Sequence, residues 1–78
     1  MSTIEETIIT CAAEAYLVDA SAITPDTDIR ENLSNQSLKL IAFISGIEDA
    51  LNVTVDVRDA AKLYTIRDFV NKVTELIK

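Results

Sequence analysis

The chain has 78 residues, 49% apolar and 26% charged, with one glycine, one proline, no histidine and a formal charge of −6. That length excludes a second domain and leaves a small core, because so short a chain buries only about 60% of the surface its unfolded form exposes. The acidic balance argues against unassisted nucleic-acid binding, which needs clustered Lys and Arg to displace counterions from phosphates. A single cysteine, Cys11, rules out an intrachain disulfide. The start lacks the basic and apolar regions of a signal peptide, and no apolar run approaches the roughly 20 residues that cross a bilayer. The reading is of a cytoplasmic, monomeric protein with one domain over residues 1–78.

The elements follow from periodicity. Ser2 and Thr3 precede Glu5 and Glu6 in a capping-box pattern, and Ile4, Ile8, Cys11, Ala12 and Ala15 then recur at helical spacing, predicting a first helix over 3–18. Thr24-Pro25 ends any helical continuation, because the residue before proline is pushed toward extended backbone. A loop runs from there to about residue 36, with Ile23, Ile29 and Leu33 expected to pin it to the core. Its first-half setting is acidic: Arg30 is the single base among residues 1–36.

Residues 37–51 are expected to form the second helix, since Leu40, Phe43, Ile44, Ile47 and Leu51 fall within about a 100° arc. Leu38 and Ile41 project away from that stripe, toward solvent. Gly46 interrupts this helix at about 1 kcal/mol relative to alanine, tolerated or kept for a close approach. "NVTVDV" at 52–57 is briefly strand-like, and a short element around Asp56 to Ala61 begins where Asp56 can cap the N–H of Arg58 or Asp59. Thr65 is then the expected N-cap of a last helix carrying Ile66, Phe69, Val70, Val73 and Ile77, with Lys78 at its negative dipole end. The class is all-α, a small four-helix bundle of three longer helices and one short.

Ser37 opens the second helix in "ENLSNQSLKL". Two readings stand side by side: its hydroxyl accepts an unpaired N–H of the first turn, worth about 1 kcal/mol, or the helix start favours an anionic group carried there. The adjacent acids Glu5/Glu6 and Glu48/Asp49 diverge in direction on a helix and read as solvated surface. Cys11, on the apolar stripe, reads as a small core residue.

The whole chain resembles free-standing bacterial acyl carrier proteins. "STIEE" opens the first helix, "Q-S-L" stands where that family has Asp-Ser-Leu, "IEDALNVTV" is similar to its helix-end segment, and "AAKLYTIRDFV" follows its progression into the last helix. The resemblance implies that Ser37 is esterified by 4'-phosphopantetheine, donated from coenzyme A by a phosphopantetheinyl transferase, and that the chain is a carrier and not an enzyme. It further implies docking of acyl-transferring and condensing enzymes of a fatty-acid or polyketide pathway on Gln36, Leu38, Ile41, Ala42, Ser45, Glu48 and Asp49. Phe43, Ile47, Leu51, Val55, Ala60, Leu63 and Phe69 become candidate lining for an acyl chain folded between the helices, and each is equally well explained as ordinary core.

The chain departs from the family at Gln36, in place of the usual acid before the serine, and at Ser34, in place of a glycine. Lys39 and Ala42 occupy positions that are acidic in the family, so docking near Ser37 is expected to be more apolar, which favours a specialised carrier of the polyketide type. The rivals are a peptidyl or aminoacyl carrier, and an unmodified interaction module that keeps the bundle.

Overall fold

The computed structural model describes residues 3–77. Four α-helices carry the fold: α1 Thr3–Tyr16, α2 Ser37–Leu51, the single-turn α3 Val57–Ala60 and α4 Ile66–Ile77. A 3₁₀ turn at Ala20–Ala22 and a π-type turn at Ile29–Leu33 lie within the long connection between α1 and α2. Ser2, the proposed cap of the first helix, and Lys78 lie outside the described residues. The bundle of three long helices and one short is thus as the periodicity predicts, with the loop more ordered than a sequence reading gives it.

The helices meet through the stripes that their spacing defines. Ile8, Cys11, Ala12 and Tyr16 of α1 are buried against Phe43, Ile44 and Ile47 of α2 and Ile66, Phe69 and Val73 of α4, and one cluster includes them all. Phe43 is the hinge of this packing. Its ring lies 4.9 Å from that of Phe69 and 5.9 Å, edge-on, from that of Tyr16, inside the range in which aromatic pairs add to their area burial.

Helix α1 stops at Tyr16, two residues short of the predicted end. Leu17 turns into the left-handed region at φ 58°, and the Val18 N–H donates back to the Ala13 carbonyl at 3.1 Å. This is the bonding of a Schellman termination, which usually places glycine at the left-handed position. Helix α2 also ends on a left-handed residue, Asn52 at φ 54°, a side chain that tolerates this conformation better than most. The strand-like segment after it forms no strand; Val55 is buried, and its N–H donates to Glu48 Oε2 at 2.9 Å, which folds the segment back on α2.

The long connection is held by backbone pairing as well as by apolar anchors. Ile23 and Ile29 are buried and Leu33 partly so, as expected. In addition the Ile29 N–H donates to Tyr64 O at 2.8 Å, Ile66 N–H to Thr27 O at 3.1 Å and Arg67 N–H to Pro25 O at 2.9 Å, around an isolated antiparallel bridge between Asp28 and Thr65. The Arg67 and Asp26 side chains pair alongside. Asp28 then caps the π-type turn, accepting from the N–H groups of Arg30 at 2.8 Å and Glu31 at 3.0 Å. Asp56 caps α3 through the Arg58 N–H at 2.8 Å, and Thr65 caps α4, both at the predicted positions.

Gly46 carries no steric requirement. A Cβ there would meet Cys11 Sγ at 3.6 Å and Cys11 Cβ at 3.7 Å, ordinary contact distances, and its φ is not in the left-handed region. The close approach that would demand glycine does not occur, which leaves tolerated cost as the reading. Cys11 is buried as predicted, and burial first, then the neighbouring Glu14 charge, pushes its thiol pKa up. No helix among the described residues is long and apolar enough to cross a membrane.

Candidate functional site

Ser37 is the first helical residue of α2, and Gln36 holds the cap position before it. Gln36 accepts from the Lys39 and Leu40 N–H groups through its backbone carbonyl, at 3.2 Å each, while its side chain makes no cap bond. The capping explanation of Ser37 therefore fails. Its hydroxyl lies one residue too far into the helix to serve as the cap, and the residue is exposed. Upstream, Ser34 Oγ accepts from the Gln36 N–H at 3.2 Å and orders the approach to the helix. An exposed hydroxyl at a helix N-terminus stands in a positive field, produced by unpaired N–H groups and the aligned peptide dipoles, and a phosphodiester there is favoured.

Beside Ser37 opens a cleft of about 570 Å³. One wall is the connection from Asp28 to Gln36, another is Ser37 and Leu40 of α2, and the rest is Tyr16, Ala61 and Tyr64. Arg30 is the structural centre of this wall. Its Nη2 reaches three carbonyls at the end of α3, Ala61 O at 2.7 Å, Leu63 O at 3.3 Å and Ala60 O at 3.4 Å. A cation suits the carbonyl-rich end of a helix. The same guanidinium lies 4.3 Å from the centre of the Tyr64 ring, a contact worth about 0.5–2 kcal/mol. Burial pushes the Tyr16 phenol pKa up, and the nearby Arg30 charge pulls it down by a smaller amount.

Leu38 and Ile41 flank Ser37 on the outer face of α2, with 81% and 50% of their surfaces exposed, as the helix phase predicts. Gln36, Ala42, Ser45 and Asp49 are exposed on the same helix or at its start. Glu48 is half-buried and already accepts from the Val55 N–H, so its carboxylate has a local structural task. The seven acyl-chain candidates fall in the interior: Phe43, Ile47, Val55, Ala60 and Phe69 are buried, and Leu51 and Leu63 pack partly buried against them. None of the seven lines the cleft beside Ser37. Sequence reasoning passed over Arg30, Tyr64 and Tyr16 as site residues. The isolated positive charge of Arg30 in an otherwise acidic half was the available signal.

The family model described as "Phosphopantetheine attachment site" matches residues 6–73. The chain belongs to the acyl carrier protein family. It is 33% identical to an acyl carrier protein of Rubrobacter xylanophilus over 63 residues, covering 81% of this chain and 78% of that one. It is 35% identical to an acyl carrier protein of Campylobacter jejuni subsp. doylei over 66 residues, covering 85% and 86% respectively. The cofactor of this acyl carrier protein is 4'-phosphopantetheine, covalently attached. The residues fit such a group. An exposed hydroxyl at a helix start can form the ester, the helix N-terminus favours its phosphate, and the cleft alongside has room for the arm.

Proposed function

We propose that Ser37 carries the arm, and that the chain is one acyl carrier domain over residues 1–78 which performs no chemistry of its own on the cargo. The observation that carries this reading is the freedom of Ser37: an exposed hydroxyl at the start of α2, excluded from the capping role by Gln36, inside the matched segment. Modification by a phosphopantetheinyl transferase follows from simple chemistry. The Ser37 oxygen bonds to the pantetheine-side phosphorus of coenzyme A, the pyrophosphate linkage breaks, adenosine bisphosphate leaves, and the hydroxyl proton passes to a base of the transferase. This last step explains why a chain with no histidine suffices. When bound, the arm supplies a terminal thiol on which acyl groups are held as thioesters.

The chain's own residues then present the cargo. Leu38 and Ile41 form an apolar docking surface around Ser37, and Gln36, Ala42, Ser45 and Asp49 surround it with few charges. Glu48 acts on this surface only through the α2 to α3 connection that it holds. Partners are the transferase and the acyl-transferring and condensing enzymes of a biosynthetic pathway, met one after another by a cytoplasmic monomer. Tethering raises the cargo's effective concentration at each of them. The scarcity of acids near Ser37, with Lys39 beside it, favours a specialised pathway of the polyketide type over general fatty-acid synthesis.

Incubation with coenzyme A and a broad-specificity transferase tests the reading by intact-protein mass. Wild type gains one phosphopantetheinyl group and Ser37→Ala gains none. An unchanged wild-type mass with several active transferases overturns it.

A further inference from the structure

The end of α1 places two penalties on one residue. Leu17 lies in the left-handed region at φ 58°, where a Cβ crowds the following carbonyl and glycine enters freely. Its side chain is also 82% exposed, the highest value among the large apolar residues described. Asn52, the other left-handed residue, has a short polar side chain that suits both the conformation and the solvent. Leucine suits neither.

The fold has no use for this side chain. The Val18 N–H closes the termination on the Ala13 carbonyl, and Val18 and Ala13 supply the apolar residues that pack against the core there. We infer that Leu17 is a contact residue for the enzyme that modifies Ser37, seated in an apolar pocket of the phosphopantetheinyl transferase; this rests on Ser37 carrying the arm.

Position on the molecule supports that occupant. Tyr16, immediately before Leu17, lines the same cleft of about 570 Å³ as Ser37, so the end of α1 forms a rim of the cleft with the start of α2. Beyond Leu17 the 3₁₀ turn exposes Ala20 and Ala22, and Tyr64 on the cleft wall is 48% exposed. On the α2 side stand Leu38 and Ile41. Apolar side chains thus occupy both sides of the opening at which Ser37 sits.

An enzyme that seats on Ser37 through an interface of standard size covers about 800 Å² of this surface, a disc about 16 Å in radius. Such a disc is wider than the cleft and takes in both rims. The docking surface of Leu38 and Ile41 is therefore continued across the cleft by Leu17. Contact with a partner offsets the exposure that the free chain leaves at this position, and glycine there would forfeit it.

The experiment sets stability against modification. Leu17→Gly relieves the backbone and removes the contact; Leu17→Asn keeps a left-handed-tolerant side chain and makes it polar; Leu17→Met keeps an unbranched apolar one. Urea unfolding is expected to show a midpoint raised by roughly 0.5 M in Leu17→Gly. With the same transferase and coenzyme A, followed by intact-protein mass, KM for Leu17→Gly and Leu17→Asn is expected to rise about three- to tenfold with kcat little changed, and Leu17→Met to stay near wild type. Leu76→Ala, an exposed apolar residue at the end of α4 away from the cleft, is expected to leave KM unchanged. A more stable protein that is modified less well has no explanation in folding. An unchanged KM in Leu17→Gly, a midpoint that does not rise, or an equal loss in Leu17→Met overturns the inference while Ser37 loading stands. A wild type that gains no mass overturns both.

Discussion

Two helix starts in this protein are built in opposite ways. At α4, Thr65 Oγ accepts from the Asp68 N–H at 3.1 Å, and Asp68 Oδ2 accepts in return from the N–H groups of Thr65 at 3.2 Å and Tyr64 at 3.1 Å. This is a reciprocal capping box with aspartate in the usual glutamate's place. At α2 the cap position is Gln36, without a side-chain cap, and the neighbouring hydroxyl is exposed. A hydroxyl committed to its own helix is poorly placed to be a nucleophile toward an outside phosphate. The α4 start is arranged for stability, and the α2 start gives up roughly 1 kcal/mol of capping and keeps its serine accessible.

The contrast predicts a graded set of effects. The largest is at α4: Thr65→Ala should lower stability by about 1 kcal/mol, within the range of about 0.5–2 kcal/mol for lost caps, measured by urea unfolding. A loss below about 0.3 kcal/mol would erase the distinction between the two starts.

Gln36→Asp should move α2 toward α4. A carboxylate at the cap position that accepts an N–H of the first turn is expected to raise the unfolding free energy by about 0.5–1 kcal/mol. Transferase kinetics on the same variant show whether the residue before Ser37 also affects modification, and a faster reaction is expected.

Leu38→Ala and Ile41→Ala should each change stability by less than about 1 kcal/mol, because both side chains are at least half exposed. Modification or acyl transfer should fall in both. A loss of several kcal/mol would mean that these side chains pack in solution as they do not here. Smallest of all, Ser37→Ala should leave stability within about 0.5 kcal/mol of wild type, since its hydroxyl caps nothing, and on the proposed function it should abolish modification, which intact-protein mass checks.

The α4 start also has a pH signature. Backbone hydrogen bonds from Tyr64 and Thr65, foremost among several causes, hold the Asp68 carboxyl below the usual aspartate range. A carboxylate whose pKa is lowered by folding contributes stability that is present above the unfolded value of about 3.9 and is lost as pH falls through the lower folded value. Asp68→Asn should therefore flatten the stability profile below about pH 4, and Ser37→Ala should not alter it. Acid titration followed by circular dichroism checks both.

Much of this molecule is legible in its sequence because its helices bury single stripes. Phe43, Ile44 and Ile47 are buried, and Leu38 and Ile41 exposed, wherever the phase of α2 places them. Asp56 and Thr65 cap as written because a cap is a contact across two or three residues. The end of α1 was less legible: Leu17 adopts a left-handed conformation without the glycine that normally announces it. The cleft was illegible for a different reason. Arg30 and Ala61 are 31 positions apart and meet only because the pairing of residues 25–29 with 64–67 brings the loop against the end of α3.

The sequence by itself determined the three long helices, their inward faces, the serine at the start of α2 and the apolar pair around it, since each depends on neighbours within about a turn of chain. Tertiary structure alone decided that Gln36 takes the cap and leaves Ser37 open, that Glu48 is engaged by Val55, and that Arg30 stacks on Tyr64 in the cleft wall. Those outcomes depend on where distant backbone groups come to rest, and no local pattern specifies the partner that a side chain meets after the chain has closed.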